Sequence, residues 1–215
     1  MRDREKDAAQ MAIKRKDFLE KSYELFTKKN IESVSMIEVA KACGYGTTTL
    51  YRYFNTKPEL VVAVATWIWG QALSRNRKRR PSENFEGMTA EQIFAFYLDG
   101  FIELYRNHRD LLRFNQFFNI YIQSERIGPE VMKPYRDVIE GLKSEFHVIY
   151  ERAKQDHTIR TDEPEAETFT TTLHLMLAAV TRYAIGLVYI PEEGFDAEKE
   201  LEKLKEALLM RYRKG

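Results

Sequence analysis

Apolar residues recur at three- and four-residue spacing along nearly the whole chain, and no segment sustains a two-residue alternation. That is the period of a helix that buries one stripe and wets the rest, and it leaves no convincing strand. Glycine and proline, 10 and 6 among 215 residues, are scarce and fall at the breaks between stripes. The pattern predicts an all-α protein. A chain of this length buries a core without staples. Its single cysteine, Cys43, excludes an intramolecular disulfide and a cysteine metal cluster and fits a reducing compartment.

Local signals place the elements. The first helix carries Ile13, Phe18, Leu19, Tyr23, Leu25 and Phe26 mostly on one stripe and closes near Asn30, a residue that tolerates the left-handed conformation of helix ends. Ser35 and Glu38 read as a capping box for a helix over 36–43, with Ile37, Val39, Ala40 and Cys43 to bury and Gly44 as its stop. A very short helix is expected over 47–54. Thr56 and Glu59 read as a second box, with Pro58 tolerated in the first turn, for a helix from Lys57 to about Arg79. The segment 81–88, "PSENFEGM", reads as a boundary. Beyond it, Thr89 and Gln92 cap a helix to Asn107, and shorter helices are expected over 109–125. A long helix follows Gly128-Pro129 to about Asp156, restarting at Pro134. Asp162 and Glu165 cap another to about Tyr189; Pro191 and Gly194 end it, and Asp196 opens the last.

The net charge of +1 conceals an asymmetry: residues 1–80 carry +8 and residues 81–215 carry −7. The N-terminal part is therefore suited to a polyanion. The densely charged start resembles no signal peptide, and no stretch is apolar enough to span a bilayer, so no membrane and a cytoplasmic location are expected.

The stretch "GYGTTTLYRYFNTKPEL", Gly44 to Leu60, is too polar to be all core and too aromatic for an ordinary loop. Helix, glycine-containing turn and short helix make a helix-turn-helix, whose second helix enters a DNA major groove. At about 100° per residue, Leu50 and Phe54 share the buried face, while Arg52 points away from it with Thr48 and Thr49 beside it. Tyr51 and Tyr53 fall on the flanks. Arginine grips guanine O6 and N7 with two donors, threonine meets the thymine methyl or a base edge, and flanking phenols reach phosphates. Lys57, at a helix N-terminus, suits a phosphate. The competing reading is a capped surface helix with amphipathic aromatics.

The span from about Lys16 to Leu60 resembles the DNA-binding domain of the TetR family of bacterial transcriptional regulators, on "FLEKSYELFTKKN", "VSMIEVAKACGYGTTTLYRYF" and "NTKPEL". It departs from the family at Asn30, where glycine is usual, and at Tyr45, where a smaller residue is. The resemblance implies a repressor-like homodimer. A three-helix DNA-binding domain, residues 1–60, places Thr47, Thr48, Thr49, Tyr51, Tyr53 and Lys57 at positions that contact double-stranded operator DNA. Tyr45 either joins them or folds over the turn. A larger helical domain, residues 61–215, binds a small-molecule effector and dimerises through its last long helices. Ligand binding shifts the fourth helix and releases a near-palindromic operator.

The remaining features are less specific. The run Arg75, Arg77, Lys78, Arg79 and Arg80 reads as cations at a helix C-terminus rather than as further DNA contact. Lys14–Lys16 is the better candidate for secondary phosphate contacts. Most aromatics of the second domain are core, but Trp67, Phe94, Tyr97, Phe101, Phe117 and Tyr121 are the candidates for an apolar pocket, with His147 and His174 as polar groups of a pocket or interface. Leu173, Leu177, Val180, Ala184 and Leu187, paired with the helix that carries Phe146, form the expected dimer interface; the other reading is the core of one protomer. Cys43 is expected buried and unreactive. Neither a nucleophile–base pair nor a nucleotide fingerprint is recognisable, so no enzyme, cofactor or metal site is expected. The expected function is a ligand-responsive transcriptional regulator, most simply a repressor released by a small apolar or aromatic effector. The alternative is a helical sensor or carrier that no longer binds DNA.

Overall fold

The capping residues define where each helix starts and stops. The structure, a computed structural model, describes residues 4–79, 85–186 and 193–214, with side chains over 6–75, 85–186 and 193–214. Among the described residues the chain is all-α: α1 (Arg4–Lys29), α2 (Met36–Ala42), α3 (Thr47–Tyr51), α4 (Lys57–Arg79), α5 (Ala90–Asn107), α6 (Arg109–Ser124), α7 (Pro129–Asp156), α8 (Glu165–Ile185) and α9 (Ala197–Tyr212). One isolated bridge pairs Ile159 with Arg213.

Asn30 takes a φ of 71° at the end of α1, and its side chain accepts from the Ser33 N–H at 2.9 Å. Thr89 and Gln92 form the full reciprocal box at the start of α5. Asp196 accepts from the N–H groups of Glu198 and Lys199. Ser35 caps α2 by accepting from the Glu38 N–H at 3.1 Å, but the Glu38 carboxylate turns outward to Lys29 at 2.6 Å instead of returning to Ser35. Asp162 and Glu165 do not cap α8; Pro164 is its N-cap, because Asp162 is held by the Arg160 guanidinium and Glu165 by His147. The 109–125 region is one helix, and α7 runs unbroken through Pro134. The expected boundary residues 81–84, together with Arg80, Leu187, Tyr189 and Pro191, lie outside the described residues.

The chain divides into two compact units: residues up to Gln71 with Phe114–Val138, and Ala72–Arg113 with the residues from Ile139 onward. In the first, Phe18, Phe26, Leu50, Leu60, Phe114 and Phe118 are wholly buried. The Phe114 ring meets Tyr23 at 5.5 Å and Phe26 at 6.5 Å, and the Trp69 indole N–H donates to the buried Asn115 carbonyl at 3.2 Å. Two expected core residues are instead exposed. Ile37 is 69% exposed because α2 turns Met36, Val39 and Ala40 inward, and Ile13 is 60% exposed because the buried stripe of α1 begins only at Phe18. In the second unit α5, α8 and α9 pack together around Phe94, Phe101, Phe146, Met176, Val180 and Tyr212. The C-terminal end closes that core: the Arg160 N–H donates to the Tyr212 carbonyl at 2.7 Å and the Lys214 N–H to the Thr158 carbonyl at 3.1 Å.

Candidate nucleic-acid interface

The turn between α2 and α3 is set by Gly44. Its φ of 71° lets the Gly44 N–H reach the Lys41 carbonyl at 3.1 Å and the Tyr45 N–H reach the Ala40 carbonyl at 3.0 Å, the two bonds of a Schellman close. Gly46 then caps α3, accepting from Thr49 and Leu50. The α-helix ends at Tyr51 rather than Phe54. Arg52 and Tyr53 donate to the carbonyls three residues back, a tighter turn, while Phe54 still reaches Leu50. A five-residue helix has no stability of its own. Leu50, fully buried, and Phe54, nearly so, hold it down.

What these anchors leave outside is Thr48 and Arg52, both exposed, and Tyr51, 47% exposed; Thr47, Thr49 and Tyr53 are half-buried. Tyr53 lays its ring 5.4 Å from Phe18. Tyr45 folds over the turn: its ring packs on Phe18 at 5.3 Å and its hydroxyl donates to the Asp17 carboxylate at 3.1 Å, a bond that raises the phenol above its ordinary range. The basic run of α1 lies beside the same turn. Lys14 sits over the Tyr45 ring at 5.6 Å and Arg15 over the Phe54 ring at 5.2 Å, while Lys16 pairs with Glu20. At the start of α4 the Asn55 N–H is taken by Glu59 and the Glu59 N–H by Thr56, and Pro58 has none. Lys57 supplies the charge there. Its ammonium donates to the Glu32 carbonyl at 3.1 Å and lies 5.6 Å from the centre of the Tyr121 ring; burial lowers its pKa, against the Glu125 and Glu32 carboxylates that raise it. Cys43 is half-buried, and burial, aided by Asp17, pushes its thiol up to about 11.

The expected pocket residues fall in both units. Trp67, Phe117 and Tyr121 belong to the first, where Trp67 meets Tyr23 at 6.3 Å. Phe94, Tyr97 and Phe101 belong to the second and pack in its core. His147 and His174 are exposed, and the His147 Nδ1 lies 3.0 Å from the Glu165 carboxylate. Tyr97 lines a cavity of about 480 Å³ between α5 and α7, walled by Phe85, Ile93, Phe96 and Ile149, with Ser144 and Glu145 as polar groups. Ile93, Phe96 and Tyr97 lie three and four residues apart, as do Glu145, Val148 and Ile149; that spacing was the available signal for these walls. Of the expected dimer residues, Phe146, Val180 and Ala184 are buried in the second unit's own core, and Leu173 and Leu177 are half-buried against it. The outward face of α8 is His174, Leu175, Ala178, Arg182 and Ile185 instead. Among the described residues no group of acidic, histidine or cysteine side chains could hold a metal ion, and no helix is long and apolar enough to cross a membrane.

Residues 18–64 match the model of the bacterial regulatory proteins of the tetR family. The HTH-type transcriptional regulator YerO of Bacillus subtilis (strain 168) is 24% identical over 120 residues, which cover 56% of this chain and 38% of that protein. The chain thus spans little more than a third of that relative's length. Solved structures of similar fold include the ketosteroid transcriptional regulator KstR2 of Mycobacterium tuberculosis, 14% identical over 94% of this chain and 95% of that one at a TM-score of 0.63. The fatty acid degradation regulator FadR of Bacillus halodurans is 14% identical over 93% and 97%, at 0.69. FadR of Bacillus subtilis, solved in complex with stearoyl-CoA, is 15% identical over 90% and 96%, at 0.68. The helix-turn-helix of α2 and α3 lies within the matched residues, so the segment 18–64 is a domain of the tetR-family kind.

Proposed function

We propose that the chain is a ligand-responsive, DNA-binding repressor that acts in the cytoplasm as a homodimer. Residues 1–60 form the DNA-reading domain and residues 61–215 the effector and dimer domain. The observation that carries this reading is the split of one short segment: Leu50 and Phe54 buried, Thr48, Tyr51 and Arg52 outside. Arg52 reads guanine, Thr48 and Thr49 read base edges or thymine methyls, and Thr47, Tyr51 and Tyr53 take phosphates. Lys57 joins them at the backbone; Tyr45, already bonded to Asp17, supports the turn. Two copies related by a two-fold axis call for a near-palindromic operator, and the exposed face of α8, with Leu175 and Ile185, supplies the dimer contact.

The effector is a small apolar or aromatic molecule, and the cavity of about 480 Å³ walled by Phe85, Ile93, Phe96 and Tyr97 is its site. That volume lies within the range of about 300–1,000 Å³ usual for ligand pockets. The stearoyl-CoA bound by the Bacillus subtilis FadR supports an apolar class of ligand. For release to follow, the ligand must bind the DNA-incompetent arrangement more tightly than the competent one, since equal affinity for both shifts nothing. No catalytic step is assigned to the chain.

Selection of the full chain on a randomised duplex library tests the reading. The expected result is a two-fold symmetric consensus bound with steep salt dependence. Recovery of no duplex at low salt, alongside saturable binding of an apolar fluorophore, would favour a sensor or carrier that does not bind DNA.

A further inference from the structure

We propose that Tyr121 is a positioning residue for DNA binding: its ring and the Glu32 carbonyl together hold the Lys57 ammonium where it meets a DNA phosphate. The inference rests on the DNA-binding reading above and adds to it a residue of α6, outside the helix-turn-helix. Lys57 is the first residue of α4, immediately after the segment that carries Thr48 and Arg52. A lysine at such a place ordinarily trails in solvent, and its flexible chain must be ordered when a phosphate is bound. Here the chain is already ordered. The ammonium donates to the Glu32 carbonyl at 3.1 Å, and the Tyr121 ring lies 5.6 Å away, within reach of a cation–π contact.

An ammonium carries three donors, and one is spent on Glu32. Those that remain suit a phosphate oxygen. Tyr121 is itself fixed, 2% exposed in the core of the first unit, so the ring is a stable wall rather than a mobile cover. Partial burial has removed some of the ammonium's water before any DNA arrives, so less is left to strip away on binding. The carboxylates of Glu32 and Glu125 keep the site favourable to a cation. At this helix end the Glu59 N–H is taken by Thr56 and Pro58 has none, so the Lys57 side chain adds donors that the backbone there supplies sparingly.

The test is a double-mutant cycle on the full chain, with Lys57→Ala, Tyr121→Leu, the double variant and Tyr121→Phe. Each is titrated over a range of salt against the selected duplex and a scrambled one. Tyr121→Leu should weaken binding to both duplexes by about three- to tenfold, and Tyr121→Phe, which keeps the ring, should restore it. Lys57→Ala should weaken both and reduce the salt slope by about one. The double variant should bind like Lys57→Ala alone. A Tyr121→Leu loss that persists undiminished in the Lys57→Ala background would mark Tyr121 as merely structural and overturn the proposal. So would a salt slope that Lys57→Ala leaves unchanged. Failure of the unaltered chain to bind any duplex would instead remove the DNA-binding reading, and this proposal with it.

Discussion

The pair Leu50→Ala and Arg52→Ala separates the two faces of the recognition segment. Leu50 is wholly buried, and α3 has only five residues to hold itself together. Truncating a buried leucine costs about 2–5 kcal/mol, the transfer of the lost methyl groups plus the cavity they leave. Set against a typical stability of about 5–15 kcal/mol, that is a large fraction. Urea unfolding of Leu50→Ala should show a clearly lower midpoint, and binding to every duplex should fall together. Arg52 is exposed, and its backbone N–H, 3.2 Å from the Thr49 carbonyl, is untouched by truncation. Arg52→Ala should therefore stay within about 0.5 kcal/mol of the unaltered chain in urea. Its effect belongs in the DNA: loss of a bidentate guanine contact is worth about 1–3 kcal/mol, or about five- to 150-fold, at one base position. Repeating the randomised selection with Arg52→Ala should relax that position and leave the others unchanged. Destabilisation by Arg52→Ala comparable to that by Leu50→Ala would mean the guanidinium is packed against protein, and the inward–outward assignment would be lost. A uniform fall in affinity with an unchanged consensus would make Arg52 a phosphate contact.

Other positions give independent checks. Asn30, at a φ of 71°, should tolerate glycine within about 0.5 kcal/mol, because relief of backbone strain offsets the lost bond to Ser33 and the added freedom of the unfolded chain. Asn30→Ala keeps the strain and loses the bond, and should cost about 1–2 kcal/mol in urea. Asn115→Leu removes the acceptor of the buried Trp69 N–H, 3.2 Å away, and should cost about 1–3 kcal/mol, read as a lower thermal midpoint. Cys43, pushed from 9.0 to about 11 by burial, stays protonated at pH 8 and should alkylate about a hundredfold more slowly in the native state than in urea. Because the folded state binds this proton more tightly, its contribution to stability is present below pH 9.0 and is lost as the pH rises towards about 11, which urea midpoints across that range would register.

Periodicity and caps were enough to read the helices, because both are written in residues close together in the chain. Thr89 with Gln92, Asp196, Asn30 and Gly44 all do locally what their chemistry demands. Reading fails where a charged partner takes the capping group. Glu38 turns to Lys29, and Asp162 to Arg160, and in each case an expected capping bond is missing. The same holds for faces. Nothing in the stripe of α8 shows that Val180 and Ala184 face their own core while Leu175 and Ile185 face out. At the reading segment, Leu50 and Phe54 inward with Arg52 outward was legible from the helical angle alone. The bonding of Tyr45 to Asp17 and the seating of Lys57 against Tyr121 were not, since each joins residues far apart in sequence.

Two aromatics of the reading segment, Tyr45 and Phe54, and Tyr121 of α6 do more than fill a core. Three cations flank that segment, and each rests on a ring of the same unit: Lys14 on Tyr45, Arg15 on Phe54, Lys57 on Tyr121. Phe54 is buried by the same packing that anchors α3, and Tyr45 is tied to Asp17 of α1. A polyanion draws any cluster of exposed lysines, but loose side chains surrender rotamer freedom when they bind, which subtracts from the attraction. Rings that already hold the cations lower that cost without adding net charge. The rings that brace the fold beside α3 thus also hold positive groups, so on the DNA-binding reading proposed above its stability and its affinity for a phosphate backbone draw on one set of contacts.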